Sequence, residues 1–159
     1  MSAAILCVGK MKEKAWRELA DEYLKRLGRY GRYEEIEVPD LPEPAGHSPA
    51  LEEQVKTREG EALLAKIRPG DRVIAMTIEG KQRNSEDLAR HLEGLRTGGT
   101  GRVVFVIGGS LGLGANILAR ADEELSMSRM TFPHRLARVM LLEQLYRAEK
   151  INAGERYHK

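Results

Sequence analysis

Apolar residues recur along the chain with two different periods. Five short runs are apolar throughout or alternate with a period of two, which is typical of strands. These runs occupy residues 3–8, 33–38, 72–78, 102–107 and 124–128. Between and after them, apolar residues recur at helical spacing over residues 12–29, 51–67, 84–95, 116–121 and 136–151. The alternation predicts an α/β fold with a mainly parallel sheet flanked by helices.

Two details refine this prediction. The first helix carries an apolar stripe that we expect to face the core: Trp16, Leu19, Ala20, Tyr23, Leu24 and Leu27. Residues 39–49 contain four prolines and one glycine without periodicity, and they are the longest predicted loop.

The composition is that of one globular domain. The chain has 159 residues and a mass of 17.8 kDa, enough to bury a core without covalent cross-links, so we expect a single domain over residues 1–159. The one cysteine, Cys7, lies in an apolar run and is predicted to be buried, which leaves no disulfide or cysteine-based metal site. The sequence predicts no membrane span and no secretory signal, so we expect a cytoplasmic protein.

Charge is unevenly distributed along the chain. Residues 10–32 hold eight Lys/Arg and four Asp/Glu, and residues 126–159 hold seven Lys/Arg and three Asp/Glu. Residues 33–125 hold eleven Lys/Arg and seventeen Asp/Glu, so an acidic middle separates two basic ends. This pattern suits a protein that presents one face to a polyanion, although an ordinary mixed surface would also produce it.

A glycine-rich turn follows the run at residues 102–107. Ligands of open α/β sheets bind at the carboxyl ends of strands, where glycine lets a ligand approach the backbone closely. The glycines of residues 108–114 match neither the dinucleotide fingerprint nor the phosphate-binding loop, which disfavours an ordinary NAD or ATP site. The alternative is that these glycines serve only the geometry of the turn.

The segment 125–134 is a second candidate for ligand binding. It passes from a short strand into a turn ahead of Pro133, so its backbone is free to offer amides and carbonyls to an adenine edge. Met127, Met130 and Phe132 would supply apolar walls, or would simply belong to the core.

The last helix and the tail beyond it hold the remaining candidates. Glu143 and Arg147 are four residues apart and share a helix face, as in an ordinary ion pair. Arg147 and Arg138 are alternatively candidates for holding RNA phosphates. Gly154 is a candidate helix stop, and the tail 155–159 would bring a phenol and an imidazole to a neighbouring surface, or would fray.

Four segments together resemble one known family. The segments 105–113, 125–134, 138–148 and 157–159 are similar to those of the rRNA large-subunit pseudouridine methyltransferases of the SPOUT superfamily, and the segments 8–10, 22–27 and 56–61 agree. The resemblance therefore covers almost the whole chain. It implies a C-terminal trefoil knot that holds S-adenosylmethionine, although true knots are rare among folds.

The resemblance also implies an activity and a set of site residues. The reaction would be transfer of a methyl group to N3 of a pseudouridine in 23S rRNA of the assembled ribosome, by a homodimer whose two protomers both contribute to the active site, without a metal. The implied cofactor-binding residues are Met76, Gly108, Met127, Ser128, Arg129, Met130, Thr131 and Phe132.

Catalytic roles follow from the chemistry of N3, which must lose a proton before it can attack. We expect His158, aided by Tyr157, to orient the base and help remove that proton, Arg147 to stabilise the developing oxyanion, and Glu143 to hold Arg147. The alternatives are a noncatalytic ribosome-binding factor and a SPOUT methyltransferase that acts on another RNA.

Overall fold

A computed structural model describes residues 2–159, in which five strands alternate with five helices. The strands are β1 Ser2–Val8, β2 Arg32–Val38, β3 Arg72–Gln82, β4 Arg102–Ile107 and β5 Glu123–Ser126. The helices are α1 Lys14–Leu27, α2 Pro49–Leu64, α3 Ser85–Thr97, α4 Ala115–Arg120 and α5 His134–Asn152. Each predicted element is present, with ends shifted by up to four residues.

The strands form one sheet in the order β2-β1-β4-β3-β5, and each neighbouring pair is parallel. Parallel strands need helical crossovers, which the chain supplies between successive strands. Because β4 and β1 lie inside the sheet, both of their faces are covered, and their sequences are accordingly apolar throughout.

The two faces of the sheet carry two separate cores. In β1, Ile5 and Cys7 pack into the core on one face, which also receives side chains of α1, α3 and α5. Leu6 and Val8 alternate onto the opposite face and pack with side chains of α2 and α4. The buried position predicted for Cys7 is thus confirmed, since Cys7 is 1% exposed.

Strand β3 departs from regular pairing in the middle. Met76 and Lys81 both pair with Leu125 of β5, so residues 77–80 bulge out of the ladder. A Cβ atom on Gly80 would lie 2.8 Å from the backbone of Leu125, so glycine permits this close approach. The bulge places Thr77 and Ile78 at the carboxyl edge of the sheet.

One prediction for α1 is wrong. Leu19, assigned to the core stripe, is 48% exposed, whereas Ala20 and Leu27 are fully buried. The apolar stripe of α1 is therefore wider than the surface that α5 covers.

The expectation that Arg138 is available to RNA phosphates is also wrong. Its side chain is 1% exposed and contacts the carboxylates of Glu35 and Glu37 at 2.6 and 2.5 Å, and its Nη1 donates to the carbonyl of Gly9. Arg17 pairs with the same two carboxylates from the other side. These four side chains form an ionic cluster, buried at Arg138 and Glu35 and partly exposed at Arg17 and Glu37, that ties α5 and α1 to β2.

Within residues 2–159, no helix combines the length and apolarity needed to cross a membrane.

Candidate active site

A cavity of about 640 Å³ opens at the carboxyl ends of β3, β4 and β5. Three segments of the chain surround it: the bulge after Met76, the glycine turn after Ile107 and the loop between β5 and α5. Seven of the predicted cofactor residues line it, namely Met76, Gly108, Met127, Ser128, Met130, Thr131 and Phe132. The size lies within the range of small-molecule sites.

The glycine turn is folded tightly against itself. The N–H of Gly112 donates to the carbonyl of Gly109 at 3.0 Å, and Gly112 has a φ of +87°. A Cβ atom on Gly108 would lie 2.6 Å from the carbonyl carbon of Gly112, closer than side-chain carbons approach other atoms. Glycine at 108 and 112 is therefore required for the turn, and it leaves backbone exposed along the wall of the cavity.

The loop after β5 is held by its own serines. The hydroxyl of Ser126 donates to the carbonyl of Ser128, and the hydroxyl of Ser128 accepts the N–H of Met130. This turn exposes 71% of Met130 at the rim of the cavity. Arg129 is exposed and does not belong to the lining.

The cavity carries little fixed charge. Among the residues that line it, all of them within the described part of the chain, none is Asp, Glu, Lys or Arg. The one titratable group is His134, whose pKa is lowered by burial and by the nearby Arg135 and Arg138. His134 is therefore neutral at neutral pH, and the walls neither repel nor neutralise a charged ligand.

The tail returns to α5 after the helix ends at Asn152. Gly154 adopts a φ of +69°, and the N–H of Glu155 donates to the carbonyl of Lys150, as in a glycine-terminated helix. The predicted helix stop at Gly154 is thus confirmed. The ring of Tyr157 then packs edge-on against Tyr146 with a centroid distance of 5.0 Å.

Glu143 is the centre of a hydrogen-bond network on α5. Its Oε1 accepts two bonds from Arg147, at 2.6 and 3.1 Å, and one from the phenol of Tyr157 at 3.1 Å. Its Oε2 accepts the amide of Gln144 at 2.8 Å. Burial and the bond to Glu143 raise the pKa of Tyr157 to about 12, so the phenol is a donor and not a base at neutral pH.

His158 extends this network to α3. Its Nδ1 lies 3.3 Å from Nη1 of Arg147, and its Nε2 lies 2.8 Å from Glu86. Because a guanidinium can only donate, Nδ1 must be the accepting nitrogen, and the proton of the neutral ring resides on Nε2. Glu86 remains an acceptor because its own backbone N–H and the bond from His158 lower its pKa.

The network borders a second cavity of about 420 Å³. His158, Glu86 and Gln144 line it, and it shares three residues with the first cavity: Met76, Leu125 and Met127. The four predicted catalytic residues thus form one hydrogen-bond network, and His158 of this network lines a cavity that adjoins the predicted cofactor residues.

Residues 1–158 match the family described as predicted SPOUT methyltransferase. The chain belongs to this family. The SPOUT methyltransferase is also 51% identical, over the full length of both chains, to ribosomal RNA large subunit methyltransferase H of Exiguobacterium sibiricum. Proteins of the same name from Shouchella clausii and Bifidobacterium adolescentis are 52% and 53% identical over the same span.

A solved structure has a similar fold. A probable methylase family protein from Haemophilus influenzae Rd KW20 matches 99% of the SPOUT methyltransferase and 70% of its own chain, with a TM-score of 0.55 and 13% identity. At this identity the likeness concerns the fold alone.

Sequence reasoning missed several residues of the SPOUT methyltransferase site. Thr77 lines the first cavity, and Ser85 and Glu86 join the second. Leu111 and His134 also line the first cavity, and they lie within the candidate segments 108–114 and 125–134. Ser85 and Glu86 begin α3, where Asn84 caps the helix by accepting the N–H of Asp87 at 2.7 Å. Nothing in the local pattern indicates that this helix start faces the tail, about 70 residues further along the chain.

The described residues 2–159 contain no cluster of three or more His, Cys, Asp or Glu side chains arranged to hold a metal ion.

Proposed function

We propose that this SPOUT methyltransferase transfers a methyl group from S-adenosylmethionine to N3 of a pseudouridine in 23S rRNA of the assembled ribosome. The observation that carries the proposal is the position of two neighbouring cavities, one lined by the expected cofactor residues and one lined by His158. His158 in turn contacts Arg147, which shares Glu143 with Tyr157. Relatives that are 51% and 52% identical over the full length are named ribosomal RNA large subunit methyltransferase H, and this supports ribosomal RNA as the substrate.

The first cavity fits S-adenosylmethionine in two respects. The glycine turn at Gly108 brings bare backbone to the wall, where a purine edge and a ribose find hydrogen-bond partners. The wall also lacks a fixed positive charge that would repel a sulfonium. When bound, S-adenosylmethionine supplies an electrophilic methyl group, and Met127, Ser128, Thr131 and Phe132 would hold it.

The tail residues would prepare the nucleophile. N3 of the base carries a proton between two carbonyl groups, and its removal spreads negative charge onto both oxygens. Nδ1 of His158 accepts this proton once Arg147 moves from His158 to the base. The same movement turns the guanidinium of Arg147 toward a carbonyl oxygen that gains charge, while Glu143 keeps its other nitrogens in place.

Tyr157 has a positioning role in this proposal. Its phenol remains protonated, donates to Glu143 and stacks under the Arg147 guanidinium, whose carbon lies 4.7 Å from the ring centroid. Tyr157 therefore sets the orientation of Arg147 and the path of the tail that carries His158.

The decisive test separates binding from transfer. Replacing His158 by Asn should lower methyl transfer to ribosomes by about a hundredfold or more, which is the usual contribution of a general base. The affinity for S-adenosylmethionine, measured by calorimetry, should be unchanged, because His158 does not line the first cavity. The matched control is His47→Asn in the exposed loop before α2, which should change neither quantity.

The alternatives give different results in the same experiment. A noncatalytic ribosome-binding factor would give no heat with S-adenosylmethionine and no transfer by the unaltered protein. An enzyme for another RNA would bind S-adenosylmethionine but leave 23S rRNA unmethylated, which mass spectrometry of digested rRNA detects. Equal transfer by the His158→Asn variant and the unaltered protein would overturn the role of the tail.

We further propose that residues 1–159 act as one domain, knotted in the C-terminal part, in a cytoplasmic homodimer. Close backbone approaches at Gly80 and Gly108 support the knot, because they occur in the segments that meet around the first cavity. Pulling the chain from both ends should leave it shorter than its full contour length if a knot tightens.

The dimer is tested separately by light scattering, which should give a molar mass of twice 17.8 kDa. The molar mass of a monomer would contradict the dimer.

A further inference from the structure

Glu59 is the one buried carboxylate of residues 2–159 that has no positively charged side chain beside it. It lies on α2 and is 5% exposed. The other buried carboxylates in this part of the chain, those of Asp71, Glu149 and Glu35, each pair with an arginine. Because an unpaired buried carboxyl group opposes folding, Glu59 is a candidate for a functional role.

The carboxylate of Glu59 holds the loop between β2 and α2, residues 39–48. Its Oε2 accepts the N–H of Leu41 at 3.0 Å, which anchors the loop to α2. Two residues later, the exposed carboxylate of Glu43 accepts the hydroxyl of Ser110 in the glycine turn at 2.5 Å. The loop is therefore fastened at one point to α2 and at another to the glycine turn.

Glu59 also lies against the glycine turn itself. A Cβ atom on Gly109 would lie 3.4 Å from each carboxylate oxygen of Glu59 and 3.1 Å from Cγ1 of Val8. A third cavity, of about 120 Å³, is lined by Glu59 at this junction. It shares four lining residues with the first cavity: Gly109, Ser110, Leu111 and His134. The backbone that contacts Glu59 therefore also borders the first cavity.

These contacts form a closed ring. The ring leads from Glu59 to Leu41, along the loop to Glu43, across to Ser110, and through the neighbouring Gly109 back to Glu59. It fixes the position of the glycine turn relative to α2, which a hydrogen bond within the turn cannot do. Glu59 is the only buried member of the ring, so its hydrogen bond is the one best protected from competition by water.

We propose that Glu59 is a positioning residue for the cofactor, which holds the glycine turn in the shape that binds S-adenosylmethionine. This inference rests on the proposed function. Glu59 does not line the first cavity, so it acts through the turn and does not touch the ligand. The role requires an acceptor oxygen for the N–H of Leu41 and does not require a charge. Glutamine can therefore fulfil it, whereas leucine, which has a similar size, cannot.

The test compares Glu59→Leu with Glu61→Leu, a matched change at an exposed position two residues further along α2. Glu59→Leu should weaken the binding of S-adenosylmethionine by about tenfold in calorimetry, the effect of losing one hydrogen bond that orders the site. Glu59→Gln should recover the affinity to within about threefold of the unaltered protein, because its amide oxygen accepts the same N–H. Glu61→Leu should bind as the unaltered protein does.

Hydrogen exchange without ligand shows whether the turn itself is loosened. In Glu59→Leu, exchange followed by NMR should be about tenfold faster at the amides of Leu41 and of residues 108–112, and unchanged in α5. Methyl transfer to ribosomes gives a matching readout. The KM for S-adenosylmethionine should rise, whereas kcat should stay within about threefold, since the hydrogen bonds of Arg147 on α5 are intact.

Each outcome has a distinct meaning. Equal affinities of Glu59→Leu and the unaltered protein for S-adenosylmethionine overturn the inference and leave the proposed function standing. Faster exchange throughout the chain also overturns it, because the defect is then general destabilisation. A Glu59→Gln variant that binds as weakly as Glu59→Leu overturns it as well, because the charge is then what matters. If the unaltered protein does not bind S-adenosylmethionine, the proposed function fails and the inference with it.

Discussion

Replacing Arg138 by Leu should destabilise the protein without affecting the site directly. The guanidinium is 1% exposed and bonds to Glu35, Glu37 and the carbonyl of Gly9. Its removal leaves two carboxylates that share only Arg17, whose side chain is 31% exposed. Removing one partner of a buried ion pair lowers the free energy of unfolding by about 3–5 kcal/mol. Because Arg17 still pairs with both carboxylates, we expect a loss at the lower end, about 3 kcal/mol.

Urea unfolding followed by circular dichroism measures this loss, at one fixed protein concentration because dimerisation would contribute to stability. In thermal melts, a loss of about 3 kcal/mol in the free energy of unfolding corresponds to a decrease of roughly 6–12 °C in melting temperature for a chain of this length. The matched control is Arg135→Leu, one turn earlier on α5. Arg135 pairs with Glu13 at 3.0 Å at the surface, and its loss should cost below about 1 kcal/mol.

The effect should also depend on pH with a defined sign. Burial opposes ionisation of Glu37, but the bonds from Arg138 and from the N–H of Met11 outweigh it and lower its pKa below the ordinary 4.5. A lowered pKa stabilises the folded state above the unfolded pKa, and this contribution is lost as the pH falls through the folded value. The difference between the unaltered protein and Arg138→Leu should therefore be largest near neutral pH and shrink below about pH 4. An unchanged urea midpoint combined with weaker ribosome binding would refute the reasoning, because it would mean that Arg138 faces RNA.

Three other predictions concern the site and its surroundings. Gly108→Ala should lower affinity for S-adenosylmethionine by about tenfold or more in calorimetry, since its Cβ would meet Gly112, whereas Gly94→Ala, with open space around it in α3, should leave affinity unchanged. Glu59 is 5% exposed behind the glycine turn, and burial raises its pKa, so its ionisation destabilises the folded state as the pH rises. Glu59→Gln should therefore raise the melting temperature at pH 8 and not at pH 4. Equal shifts of the melting temperature at both pH values would contradict this reasoning. Methyl transfer should be faster to ribosomes than to naked 23S rRNA, because the 159-residue chain has little surface for holding a flexible RNA, and equal rates would contradict the assembled-ribosome proposal.

The elements of the fold could be predicted from the sequence because each has a clear period. The apolar runs at residues 3–8 and 102–107 predicted β1 and β4, and Gly154 was the predicted helix stop. The extension of β3 beyond Ile78 could not be predicted, since it depends on Leu125 pairing twice. Such pairing is a tertiary contact and has no local signal.

The site was accessible to sequence reasoning only in part. Spacing alone related Glu143 to Arg147, and the glycine turn and the segment 125–134 were ligand-binding candidates from their residues, whereas the full set of cofactor residues and the identity of the ligand came from the family resemblance. The burial of Arg138 depends on Glu35 and Glu37, which are more than 100 residues away in sequence, and a charged residue on an amphipathic helix is ordinarily at the surface. Glu86 likewise meets His158 only through the packing of α3 on α5.

The position of His158 has a practical consequence for how the protein is produced. The imidazole lines the second cavity, so a purification tag fused after Lys159 would lie close to that cavity. If the proposed function holds, a fusion partner there would compete with the ribosome for space, and assays of a C-terminally tagged preparation would underestimate its turnover. An N-terminal tag with a cleavable linker avoids this, because β1 begins at the opposite edge of the sheet from the carboxyl ends that form the cavities.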